Sequence, residues 1–350
     1  MNTVNIQGLV RENIKSLKPY SSARHEFDGK ASVFLDANEN PFGSPAGKYN
    51  RYPDPLQWQL KFQLARIKGV PAENIFIGNG SDEVIDLAYR IFCNPGKDNV
   101  IICPPTYGMY EVSGHINDVD TRKVNLTPDF QLDTEAVLKA IDEHTKLIFI
   151  CSPNNPTGNS MKREAVIELL QNFNGLVIVD EAYINYSSEK TFIAELINYP
   201  NLIVMQTLSK AWGLAALRLG LCYASMDIVA LFNKVKPPYN INLASQDIGI
   251  QALAKVEQVN EWIKTIIIQR QTVEKELLKL PFVLQVFKSD ANFLLVKLVN
   301  AADIYQYLAG NEIVVRNRSK EPGCESCLRI TVGTAEENTS LINLLNLYNG

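Results

Sequence analysis

Between residues 75 and 223 the chain alternates short apolar runs with amphipathic segments. The apolar runs occupy 75–77, 100–102, 147–151, 176–179, 202–205 and 219–223. Between several of them, apolar residues recur with a period near 3.6, which predicts helices over 82–92, 133–141 and 162–173. Runs that are apolar at every position, rather than every second one, predict strands covered on both faces. That means a mainly parallel sheet sandwiched between helices. After 223 the texture changes. A long helix is predicted over 256–280, broken at Pro281, then strands at 283–287 and 292–298 and a helix at 301–309. Strands at 313–315 and 328–331 and a helix from 334 close the chain, a succession that predicts a smaller α+β domain. The expected fold class is α/β, with a large domain over 35–250 and a small C-terminal domain over 251–350. Residues 1–34 lack a core of their own and are expected to form an arm packed on the smaller domain.

At 350 residues the chain exceeds one ordinary core, which agrees with two domains. A hydrophobic content of 46% and a charged content of 21% are those of a soluble globular protein. The net charge of −4 gives no electrostatic case for nucleic acid or an anionic membrane as partner. The first residues show no basic start followed by an apolar stretch, and no apolar run is long enough to span a bilayer, so the expected location is the cytoplasm. Six cysteines do not make a disulfide framework in a chain of this size. Cys93, Cys103, Cys151 and Cys222 read as packed thiols, and Cys324 and Cys327 as unpaired thiols in a loop. With His25, His115 and His144 scattered, no metal site is expected.

In sheets of this kind ligands bind beyond the carboxyl ends of the strands. Asn155, Asp180 and Lys210 each fall just after an apolar run, so they are expected to converge on one crevice. An amine, an acid and an amide together match the needs of pyridoxal 5'-phosphate: an amine for its aldehyde, an acid for its pyridine nitrogen, donors for its phenolate and phosphate. Lys210 is the expected covalent anchor and proton shuttle, Asp180 the nitrogen's partner, and Tyr183 with Asn155 the donors to the phenolate. Alone, Asn155 reads as a turn residue of Asn155-Pro156-Thr157-Gly158. In Gly78-Asn79-Gly80-Ser81-Asp82-Glu83, the glycines admit a close ligand and the first helical amides point outward, which suits a phosphate. Taken alone, Ser81 or Asp82 is first an ordinary helix cap. Ser209 and Arg218 are expected to complete the phosphate site. Tyr107 follows a strand and either stacks on the pyridine ring or packs in the core. Arg316 and Arg329 flank apolar runs and need a salt bridge or an anionic ligand. Next to such a cofactor they suit a substrate bearing carboxylates or a phosphate.

With these residues in place, the chain resembles the fold type I pyridoxal-phosphate-dependent aminotransferases, and within them the histidinol-phosphate branch. The resemblance runs over nearly the whole length. Besides the motifs above it includes Lys18-Pro19-Tyr20, Asp36-Ala37-Asn38-Glu39-Asn40-Pro41, Arg51-Tyr52-Pro53-Asp54, Arg316-Asn317-Arg318-Ser319 and Cys327-Leu328-Arg329-Ile330. It implies a homodimer with the N-terminal arm at its interface and Tyr52 of one subunit reaching the cofactor phosphate of the other. It implies that Arg329, assisted by Arg316, takes the substrate phosphate in one half-reaction and the glutamate carboxylate in the other, while Tyr20 and Asn38 close the pocket. The implied reaction is reversible, ping-pong amino transfer between L-histidinol phosphate and the glutamate/2-oxoglutarate pair. Close rivals are an aromatic amino-acid aminotransferase and a threonine-phosphate decarboxylase, which use the same cofactor residues. A non-catalytic scaffold is disfavoured, because it is expected to have lost Lys210 or Asp180.

Overall fold

The computed structural model describes residues 4–20 and 32–348. Its larger sheet contains β1 (Ile75–Asn79), β2 (Asn99–Ile102), β3 (Asp120–Lys123), β4 (Thr145–Cys151), β5 (Leu176–Asp180), β6 (Leu202–Thr207) and β7 (Leu219–Tyr223), in the order β1-β7-β6-β5-β4-β2-β3. Neighbours from β6 to β3 run parallel, whereas β7 is antiparallel to both β1 and β6. The reversal of β7 brings its start to the same edge as the ends of its neighbours, as the pairing of Leu219 with Asn79 and of Gly220 with Thr207 records. β2, β5, β6 and β7 are buried along their full length, as continuous apolar runs require.

Successive residues feed opposite layers. Ile75, Ile77, Ile148, Ile150, Val177 and Val179 join one apolar core, and Phe76, Leu147, Phe149, Leu176 and Ile178 join the other. At about 1.5–3 kcal/mol for each such side chain, these two layers are the main hold on the sheet. β3 is the exception. Its Asp-Thr-Arg-Lys sequence is half-exposed on the sheet edge, where charged residues deter pairing with another chain, and it has no apolar pattern to predict it.

The helices α1 (Ile6–Leu9) and α2 (Glu12–Lys15) precede the sheet, followed by α3 (Trp58–Lys68), α4 (Ser81–Phe92), α5 (Met109–Ile116), α6 (Thr134–Lys139) and α7 (Arg163–Asn172). After β7 come α8 (Met226–Val235), α9 (Leu243–Leu253) and α10 (Val256–Leu277). The expected packing of the N-terminal arm needs correction. Ile6, Val10 and Ile14 lie in the core layer of Phe76, Val84 and Phe92, on the large sheet and not on the smaller one. The Arg11 backbone amide donates to the Ile91 carbonyl at 3.0 Å, and Lys234 Nζ to the Lys15 carbonyl at 2.9 Å, which pins the arm there. The part of the expected arm over 21–31 lies outside the described residues.

The second sheet is antiparallel, with β8 (Val283–Val286), β9 (Phe293–Leu298), β10 (Arg316–Asn317) and β11 (Cys327–Thr331) in the order β10-β11-β9-β8. The strand expected at 313–315 begins instead at Arg316, after a turn in which Glu312 has φ of 64°. α11 (Ala301–Gly310) and α12 (Ala335–Asn346) pack on it through Ile304, Leu308, Leu341 and Leu345. Thr334 starts α12 with a reciprocal capping box to Glu337. α10 links the two cores, with Val259 and Ile263 in the first and Val273 and Leu277 in that of the second sheet.

Candidate active site

At the carboxyl edge of the large sheet lies a cavity of about 360 Å³ between the two sheets. Its walls include Ser81, Asp82, Tyr107, Asn155, Asp180, Tyr183, Ser209, Lys210 and Arg218, joined from the smaller sheet by Arg316 and Arg329. Eleven of the residues expected from the sequence thus share one space. Asn155 follows β4, Asp180 ends β5, Lys210 follows β6, and Arg218 precedes the reversed β7. All four therefore reach the same edge.

Backbone approach explains the glycines. Gly80 has φ of +77°, and a Cβ there would sit 2.6 Å from Arg218 Nη2. A Cβ on Gly220 would come within 2.2 Å of the Gly80 carbonyl carbon. The Gly80 amide donates to the Arg218 carbonyl at 2.6 Å, so the loop before α4 is clamped against β7. No side chain caps the first turn of α4, which leaves its leading amides directed at the cavity beside Ser81, Ser209 and Arg218. Arg218 Nη2 lies 3.3 Å from Asp82, whose carboxylate also accepts from the Tyr107 hydroxyl at 3.1 Å.

Asp180 is 3% exposed. Burial pushes its carboxyl up to about 6, against hydrogen bonds from the Tyr110 hydroxyl (2.8 Å) and the Ala182 amide (3.1 Å) that favour the anion. It is thus predominantly ionised at neutral pH. Tyr110 is itself held by stacking on Phe149 at 4.8 Å, and its carbonyl accepts from Tyr89. Lys210 is exposed to the cavity, yet the surrounding walls and then the Arg329 guanidinium lower its pKa, with Asp180 working the other way. A lowered amine pKa increases the neutral, nucleophilic fraction. Tyr183 is buried, its ring edge-on to Phe293 at 5.1 Å and 5.7 Å from Lys210 Nζ. Burial raises its phenol pKa, so it remains a donor. Asn155 accepts from Arg329 Nη1, leaving its amide hydrogens as donors. Glu181, beside Asp180, is buried on the other side and takes the Phe192 amide and Gln206, a structural use.

These features fit pyridoxal 5'-phosphate: an ionised acid in the buried wall, a lysine of lowered pKa opposite, and uncapped helix amides with a guanidinium at one end. Tyr20, Asn38 and Tyr52 are not brought to this cavity. Tyr20 is 74% exposed, while Asn38 and Tyr52 line a second, more open cavity of about 570 Å³, where Tyr52 stacks on Tyr239 at 4.4 Å. Two residues with no role legible in the sequence also belong to the site. Tyr110 stands one helical turn after Tyr107, and Arg318 alternates with Arg316, spacings that place each beside a residue already singled out. Among the described residues no group of histidine, cysteine and acidic side chains could hold a metal, and all six cysteines are free and buried. Nor is any described helix long and apolar enough to cross a membrane.

Residues 32–345 match the aminotransferase class I and II family. The histidinol-phosphate aminotransferase of Cytophaga hutchinsonii is 53% identical over 344 residues, 98% of this chain and 99% of that protein. That of Parabacteroides distasonis is 53% identical over 340 residues, 97% of this chain and 98% of that one. Among solved structures, histidinol-phosphate aminotransferase from Sinorhizobium meliloti in complex with pyridoxal-5'-phosphate superposes with a TM-score of 0.77 at 25% identity, over 89% of this chain and 90% of that one. Near-complete coverage at this identity leaves room for loop differences but none for a different fold, and the chain belongs to the class I and II aminotransferases, in the histidinol-phosphate aminotransferase family.

Proposed function

We propose that this enzyme transfers the amino group of L-histidinol phosphate to 2-oxoglutarate, giving imidazole acetol phosphate and L-glutamate, in histidine biosynthesis. The observation that carries the reading is the meeting, in one cavity, of Lys210 and Asp180 with arginines from the smaller sheet. A pyridoxal enzyme needs the first two, and a phosphorylated substrate needs the rest. The bound cofactor supplies an aldehyde for the amino group and a ring that accepts electron density from the substrate Cα.

Lys210 would hold that cofactor covalently and, once free, would carry the proton at the substrate Cα. Asp180 would keep the pyridine nitrogen protonated, and Tyr183 and Asn155 would donate to the ring oxygen. Tyr107 would stack on the ring. Ser81, Ser209, Arg218 and the leading amides of α4 bind the cofactor phosphate, with Gly80 allowing the approach and Asp82 orienting Arg218 and Tyr107. Arg329, with Arg316, takes the substrate phosphate or the glutamate carboxylate.

A half-reaction tests this. The PLP-loaded protein is mixed with L-histidinol phosphate, without keto acid, and the visible band of the bound cofactor is followed. Rapid bleaching, with phenylalanine far slower, is expected. Faster bleaching by phenylalanine moves the enzyme to aromatic amino acids, and carbon dioxide release from L-threonine phosphate, offered in a separate reaction, marks a decarboxylase.

The working form is a cytoplasmic homodimer in which Tyr52 reaches the partner's cofactor phosphate and Tyr20 and Asn38 close the pocket. Exposed Tyr49 lines one cavity with Tyr52, Leu35, Phe42 and Phe62 are exposed as well, and six free buried thiols suit a reducing compartment. Co-refolding Tyr52→Phe with Lys210→Ala is expected to raise activity above that of the two variants refolded apart, toward about one quarter of wild type, because half the random dimers carry one intact site. No gain on mixing rules out action in trans.

A further inference from the structure

We propose that Arg318 is a specificity residue, selecting amino donors that carry a phosphate monoester over donors that carry only carboxylates. The inference rests on the function proposed above and assigns a third guanidinium to its substrate end.

Arg316 on β10 pairs with Arg329 on β11. The Arg318 amide continues that ladder by donating to the Cys327 carbonyl at 2.9 Å. Side chains alternate along an extended strand, so Arg316 and Arg318 project to the side on which Arg329 stands, and all three line the cavity. Their charges are poorly compensated. Arg329 donates to the neutral Asn155, and the one carboxylate paired with this group is Glu321, 3.6 Å from Arg318 Nη1, among the described residues. The Nε atoms of Arg318 and Arg329 are buried with no hydrogen-bond partner. Burial, followed by the charge of Arg316, lowers the pKa of Arg318.

A carboxylate offers two oxygens and one charge, which Arg329 and Arg316 can satisfy. A phosphate monoester offers three terminal oxygens and nearly two charges at neutral pH, and the third guanidinium meets that excess. Arg318 therefore weighs more in the half-reaction with the phosphorylated donor than in the one with glutamate.

The test compares wild type, Arg318→Gln and Arg318→Lys in both half-reactions, and adds inorganic phosphate as a competitor of glutamate. For Arg318→Gln, kcat/KM for histidinol phosphate is expected to fall about tenfold or more beyond the fall for glutamate, mostly through KM, with weaker inhibition by phosphate. Arg318→Lys keeps the charge and is expected to recover part of the difference. Equal losses for both donors, or unchanged phosphate inhibition, overturn the proposal and make Arg318 a structural partner of Glu321. If wild type discharges with glutamate but not with histidinol phosphate, the proposed function fails. Phosphate competition against glutamate then still decides the role of Arg318.

Discussion

Lys210→Ala is expected to lower turnover by roughly four to six orders of magnitude while the protein stays folded. The lysine is the one amine among the residues lining the cavity, so no other of them can form the covalent link. Its removal should not unfold the chain, because it takes one cation from a cavity that also holds Arg218, Arg316, Arg318 and Arg329. The amides of α4, Ser209 and Arg218 are untouched, so part of the cofactor affinity remains. Two measurements check this: turnover with saturating donor, and cofactor binding by equilibrium dialysis. Near-wild-type turnover would sink the assignment of the site.

The second large effect is that of Asp180→Asn. Activity is expected to drop by about three orders of magnitude, since a neutral amide cannot hold a proton on the pyridine nitrogen by charge. The cofactor-free protein should respond in the opposite direction. Burial raises the Asp180 carboxyl from 3.8 to about 6, so the folded protein holds its proton more tightly than the unfolded chain. For such an acid, stability is greatest at low pH and declines as pH rises from about 4 to about 6. Above that the ionised carboxylate costs about 3 kcal/mol. Replacing it by asparagine removes the cost. Cofactor-free Asp180→Asn should therefore be more stable than cofactor-free wild type at pH 8, with the advantage fading below pH 6. Denaturant unfolding at pH 8 and pH 4.5 separates the outcomes. An advantage independent of pH would mean that packing, not ionisation, sets the difference. Function is in this sense placed at a site where the fold alone would prefer a neutral group.

Tyr110 shows why part of the site was legible and part was not. Asp180, Lys210 and Asn155 were readable because each follows a continuous apolar run, and such runs can end at one edge only if the strands are parallel. The hydroxyl of Tyr110 reaches Asp180 from a helix 70 residues upstream, a meeting with no local signature. Arg318 stood in a motif but without a role for a related reason, since its place depends on a pairing between β10 and β11 that two residues of strand cannot announce.

The apolar periodicity determined the class of fold, the strands whose two faces are buried, and the cofactor chemistry implied by residues at their ends. These follow from local rules, because burying a continuous apolar run permits few arrangements. Only the tertiary structure decided where the weakly patterned pieces lie: β3 at the charged sheet edge, and the N-terminal arm against α4. It also decided the reversal of β7, which brings Arg218 to the cofactor edge. It sent Tyr52 and Asn38 to a different cavity from Lys210. Such placements depend on contacts between residues far apart in the chain, and their free energy is written in no single segment.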